Sequence, residues 1–418
     1  MTAAIQRSTP PRHGGIDALP RLLAEGYEFV TRGCRATGSR VFATRLGGIP
    51  VVCMQGVEAA RLFYDEERFR RAGAVPRPVR SVLFGIGGVQ GLDDAEHRHR
   101  RQMLRRHLTP AALDALRDDV VGALRQRLDR ATGPVDLHRE AGLALTVAVH
   151  DFCGVPLPEP DVGQRFRDMQ VMVTGAAALG PGRVRAMVAR RRVEMLLSDL
   201  VERTRAQDGD RLDDPLTTVS LHRDLDGRLL PPDVAAVELL NLMRPTVAVN
   251  WYVGLLAVAL ARHPHVLDQL RGDPAWRLPV VQEVRRHLPF FPFVAARTRM
   301  EVPFGDTTVP DDTRVLLDLY GTNHDPDAWD DPARFEPARF VDRPVGANEL
   351  VPQGGGDDVA GHRCVGEQLT IRLLEGAAGL LADDFTWRPD FAPVLPRGHL
   401  PTLPPGGVVL TDVRARTP

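Results

Sequence analysis

PQGGGDDVAGHRCVGEQLTIRLL, residues 352–374, sets one cysteine between a glycine-rich loop and a segment that reads as helix from Cys364 to Ala382. A helix N-terminus favours an anion and lowers a cysteine pKa. His362 and Arg363 add positive charge beside the sulfur, and Gly366 lets a flat partner approach the backbone closely. Cys364 is therefore a candidate thiolate and metal ligand. A buried, inert cysteine is the competing reading of the same residues.

The rest of the chain limits what such a thiolate can serve. It has 418 residues, beyond the roughly 250–300 at which single cores tend to divide, yet it shows no repeats and no flexible linker. The formal charge is -1, so no global field exists to hold nucleic acid or an anionic membrane. All 53 basic residues are arginine and are spread along the whole chain, which reads as genomic bias. Four cysteines, at 34, 53, 153 and 364, neither form a disulfide framework nor pair as CxxC. The opening MTAAIQRSTPPRHGG lacks the apolar core of a secretory signal, and a reducing cytoplasm is the expected compartment.

Residues 1–15 are polar and read as a loose segment, with one large domain over 16–418. Val41–Met54 reads as a hairpin turning at Gly47-Gly48. Helical spacing covers most of 111–271, and His97 to Arg117 reads as helix broken near Pro110. Short strand-like runs with turns fill 294–320, and 321–363 is irregular. The fold class is mostly α with small β-sheets.

Three further patterns carry possible chemistry. Glu283 and Arg286 stand three apart in QEVRRHL and meet on one helix face, as generic ion pairs do. His97 and Arg101, four apart, form either a solvated basic face or an anion contact. The apolar segment 234–264 reads as a core helix of about 45 Å. Glu238, Asn241, Arg244 and Asn250 interrupt it too often for a membrane span. Arg244 is expected to be buried at its centre, with no acid within reach on its own helix, and Pro245 breaks the helix there. Its partner is either an acid from another element or a ligand.

The run GHRCVGE resembles the cysteine-ligand loop of the cytochrome P450 superfamily. It departs from the common pattern FxxGxxxCxG, with Asp357 in place of Phe and Ala360 in place of Gly. The Glu283/Arg286 pair, about 80 residues upstream, resembles the superfamily's ExxR signature, and EPARF (336–340) its PERF motif with Ala338 for Glu. QGGG…GHRC, together with Arg244-Pro245 where other members carry an acid-alcohol pair, resembles the fatty-acid peroxygenase branch.

The resemblance implies a single P450-type domain with heme b ligated by Cys364. His97, Arg101 and, at the heme edge, Arg71 contact the propionates, beside His362 and Arg363. Glu283, Arg286 and Arg339 form a buried structural triad. It also implies an activity: hydrogen-peroxide-dependent hydroxylation of long-chain fatty acids at the α or β carbon. Arg244, next to Pro245, anchors the carboxylate, which then serves as the acid-base. Gln90 falls where decarboxylating relatives carry histidine, which favours hydroxylation. Val75, Val79, Leu83, Phe84, Phe293 and Val294 are candidate walls of the alkyl channel. A monomer without redox partner is expected. The rivals are a conventional dioxygen- and reductase-dependent monooxygenase and a non-catalytic heme-binding sensor.

Overall fold

The computed structural model describes residues 8–176, 178, 180–207, 213–288 and 290–416. Its centre is the apolar segment that the sequence marks as a core helix. This forms two helices, Pro232–Val247 and Val249–Arg262, joined at Ala248. Pro245 has no N–H to give the carbonyl of Asn241, and the ladder ends three residues later. The break separates two apolar cores. Leu239, Leu240 and Met243 pack with helices Pro110–Asp129, Leu137–Phe152 and Pro181–Ala206. Leu255, Leu256 and Leu260 pack with Arg277–His287 and Glu367–Gly379. The pair is long and apolar enough to cross a membrane, but it is buried inside the protein.

The strands lie to one side. Hairpin β1 (Val41–Leu46) and β2 (Ile49–Gln55) turns at Gly47-Gly48, both with positive φ, as the sequence predicts. Strand β3 is Phe69–Arg70, β4 Val135–Asp136, β5 Phe293–Thr298, β6 Val302–Phe304, β7 Thr307–Val309 and β8 Arg314–Asp318. Strands β9 (Phe385–Pro389) and β10 (Val409–Ala415) close the chain. The large sheet runs β1-β2-β8-β5-β3, with β2 and β8 parallel. Two small sheets, β4-β10-β9 and β6-β7, complete a mostly α fold of a single domain.

Two sequence expectations need correction here. Part of the segment expected to be loose is anchored: Ser8 bridges to Thr307 and Arg12 to Ala43, while residues 1–7 lie outside the described residues. The helix expected from Cys364 to Ala382 starts later, at Glu367, and its last turn from Leu380 to Asp384 is a π-turn.

Candidate active site

The cysteine loop is built around Tyr64 and Gln353. Gly354 and Gly356 have φ of 94° and 76°, and a Cβ on Gly356 would lie 2.8 Å from the Tyr64 side chain. Cys364 N–H donates to the Gln353 carbonyl at 3.2 Å. The Gln353 side chain turns the other way: Nε2 donates to Cys364 Sγ at 3.6 Å and to Thr370 Oγ1 at 3.1 Å. Its Oε1 accepts from Arg285 Nε at 3.3 Å and Nη2 at 3.2 Å. Arg285 and Arg363 both pair with Glu367, in the first turn of the helix that follows. Sequence reasoning missed Gln353, Arg285 and Glu367. The only trace of Arg285 is the doubled arginine of EVRR.

The local electrostatics act on the Cys364 sulfur in both directions. Burial pushes the Cys364 thiol up, while the Gly366 N–H, Arg101 and Arg285 oppose that rise. His362 adds no charge, since burial holds it down at about 4, and Arg363 is spent on Glu367. The chain alone thus favours the thiol, and a metal is needed to take the proton's place. Cys364 still stands apart: Cys34, Cys53 and Cys153 are buried, and Cys364 is only partly buried. A Cβ on Gly366 would meet nothing nearer than Cys364 Sγ, at 4.0 Å. Cys364, its sulfur beside open space, is the residue that would hold a planar metal group here.

A second cluster lies beside that loop. His97 stacks on His362 with ring centroids 3.8 Å apart, and Asp93 lies 3.6 Å from His362 Nε2. Asp93 also accepts from the backbone N–H of Arg71 at 2.6 Å and of Ala72 at 2.9 Å. Burial lowers His97 to about 3, so it is neutral, and its Nδ1 is buried without a partner. Arg71 lies over the ring of Phe63 at 4.3 Å. Arg101 is less free than its spacing with His97 suggests. Its Nε donates to the Val359 carbonyl at 3.0 Å and its Nη2 to that of Asp358 at 2.7 Å, clamping the cysteine loop.

Arg244 lies at the break of the central helices and is only 4% exposed. Its Nε has no partner. Burial, and then Arg190 nearby, push its pKa down to about 9. No acid pairs with it among the described residues, so of the two partners left open by the sequence the structure favours a ligand. One turn earlier, Asn241 Nδ2 donates to Gln90 Oε1 at 3.0 Å. Glu238 pairs with Arg100 at 2.7 Å, entirely buried. Thr246, beside Pro245, spends its hydroxyl on the Leu242 carbonyl of its own helix at 2.8 Å.

The candidate channel walls divide. Val75 and Val79 are half-buried. Leu83 and Phe84 pack with Ala176, Ala186 and Phe291. Phe293 and Val294 are neighbours on β5 and point to opposite faces of the sheet. Phe293 joins the cluster of Phe29 and Phe42, and Val294 that of Met54 and Phe63, so they cannot line one wall together. Phe291, which touches three of the apolar clusters, was overlooked in FFPFV.

Glu283 and Arg286 of the expected triad are fully buried, and Arg339 is nearly so. Glu283 and Arg286 meet at 2.7 Å, and Arg339 Nε lies 3.3 Å from Glu283. Arg286 also donates to the carbonyls of Asn323 at 2.8 Å and Pro332 at 3.0 Å, fastening the irregular segment to its helix.

A partly buried cysteine on a glycine-rich loop, a buried Glu-Arg pair and a core helix broken at Arg244-Pro245 are together the features of a heme-thiolate enzyme. The family model for cytochrome P450 matches residues 279–409. Cytochrome P450EX alpha (CYP152N1), solved with myristic acid, is 36% identical with a TM-score of 0.92, covering 98% of this chain and all of that one. Cytochrome P450 OleT is 28% identical with a TM-score of 0.93, over 98% of this chain and 99% of that one. Among curated proteins, pentalenic acid synthase of Streptomyces avermitilis is 26% identical over 85% of this chain and 86% of its own length. The chain belongs to the cytochrome P450 superfamily, in its fatty-acid peroxygenase branch. Its cofactor is heme b, and it is a P450 oxidoreductase.

Proposed function

We propose that the protein hydroxylates long-chain fatty acids at Cα or Cβ with hydrogen peroxide, converting RCH2COOH and H2O2 into the hydroxy acid and water. The observation that carries this is Arg244: a buried guanidinium with an unpartnered Nε and no acidic partner among the described residues. A carboxylate is the anion its planar fork binds best. Heme b, ligated by Cys364, supplies the oxidising chemistry, which the thiolate favours by donating electron density. His97, Arg101 and Arg71 are the residues that would hold its propionates, and Gln353 the one that steadies the sulfur.

The protein's own groups explain why the carboxylate does more than bind. Among the described residues no acid pairs with Arg244 at the helix break, and Thr246 donates back into its helix. The substrate carboxylate, fixed by Arg244, is then the group that takes a proton from peroxide and returns it to the departing water. Gln90, held by Asn241, has no proton to exchange and serves as a wall. Under this reading the enzyme works in the cytoplasm as a monomer without a redox partner.

The test is turnover of tetradecanoic acid by purified heme-loaded protein with peroxide and no reductase. A 2- or 3-hydroxy acid is the expected product. Turnover only with NADPH and a reductase would replace this reading with the dioxygen-dependent one.

A further inference from the structure

The helix Pro181–Ala206 has two unlike faces. Inward, Ala186 packs with Leu83 and Ala176, and Arg190 Nη1 donates to the Val82 carbonyl at 3.0 Å. This face covers the segment that carries the candidate channel walls. Outward, Val184, Met187, Val188 and Met195 are exposed by 59%, 48%, 54% and 50%. Their spacing places them in one stripe along the helix. Ile86, 45% exposed, lies beside the same helix, because its neighbour Gly85 abuts Arg190.

Cations lie in the stripe and beside it: Arg191 falls between Val188 and Met195 on the same face, and Arg185 stands at its side. Arg185 and Arg191 are exposed, and neither pairs with an acid among the described residues. From Pro181 to Met195 the sole acid is Glu194, and it turns inward onto Arg190 at 2.7 Å. Large apolar side chains exposed together on one helix face, with unpaired arginines among them, mark an interaction site.

We propose that this face docks on an anionic lipid bilayer. An apolar stripe with arginine beside it lies in the plane of a membrane interface, its side chains sunk among the acyl chains and its cations among the headgroups. The net charge of the chain is -1, so the attraction is local to this helix. The proposal stands on the exposed face and is independent of the oxidant. Combined with a fatty-acid substrate, it sets the cover of the site where such acids partition.

The test is co-sedimentation of the holoenzyme with phosphatidylcholine vesicles, with and without phosphatidylglycerol. Binding to the anionic vesicles is expected, weakened roughly tenfold without phosphatidylglycerol or in high salt. The triple variant Val184→Ser, Met187→Ser, Val188→Ser should lose roughly tenfold in partitioning, and Arg185→Ser with Arg191→Ser the part that depends on phosphatidylglycerol. These residues are exposed, so folded variants are expected, and circular dichroism checks them. Failure of the wild type to sediment with either vesicle would overturn the proposal, as would unchanged binding of the triple variant. A dimer that the triple substitution dissociates, seen by analytical ultracentrifugation, would assign the face to a second copy of the chain and overturn it equally.

Discussion

Asn241 Nδ2 donates to Gln90 Oε1 at 3.0 Å, tying the glycine-rich loop to the helix that carries Arg244 one turn later. Gln90→His introduces a group that can hold and release a proton at that position. The expected outcome is a larger share of terminal alkene among the products, measured by gas chromatography. An unchanged ratio would remove residue 90 from control of the product.

Arg244→Met should lower kcat/KM for fatty acids roughly 10²-fold, the scale of a lost charge-assisted bidentate pair. Arg244→Lys should restore only part of this, since an ammonium lacks the planar fork. Steady-state kinetics on one fatty acid decides it, and full turnover by the Met variant would sink the anchor.

Glu283→Ala leaves Arg286 buried without its charge partner. Breaking such a pair costs about 3–5 kcal/mol. Urea titration should show a loss of that order, with heme lost at a lower denaturant concentration than in wild type.

The buried histidines predict an acid limb. Burial holds His324 at about 4 and His287 at about 2, against an ordinary 6.5. As pH falls below about 6.5 the unfolded chain takes up protons that the folded one refuses, so stability is complete above that value and declines toward pH 4. The slope is at most about 1.4 kcal/mol per pH unit for each histidine. His324→Gln should flatten the decline, measured as unfolding free energy across that range.

Gln353→Leu removes the side-chain donor 3.6 Å from Cys364 Sγ. More electron density then stays on the sulfur, and the heme reduction potential should become more negative. Spectroelectrochemical titration reads the shift, and an unmoved potential would leave Gln353 a purely structural role.

What the sequence disclosed, and what it withheld, follows from the range of each interaction. The cysteine loop, the Glu283–Arg286 pair and the burial of Arg244 are written in residues a few positions apart, and the 47–48 turn in two glycines. Arg285 to Glu367, Asn241 to Gln90 and Glu238 to Arg100 are contacts between distant segments, and no local spacing announces them. Phe293 and Val294 are adjacent in sequence, yet strand alternation sends them to different clusters, which their adjacency alone does not announce. The charge assigned to His362 failed because desolvation outweighs the nearby carboxylate of Asp93.

The separation of Arg244 from the wall residues has an evolutionary consequence. The anchor stands on a helix packed into a large core, where most substitutions are costly. Leu83, Phe84 and Phe291 come from other segments and pack in a small satellite cluster. Under the proposed roles, head group and tail are read by different segments of the chain. A lineage could thus drift in chain-length preference through these peripheral residues while its chemistry stays fixed.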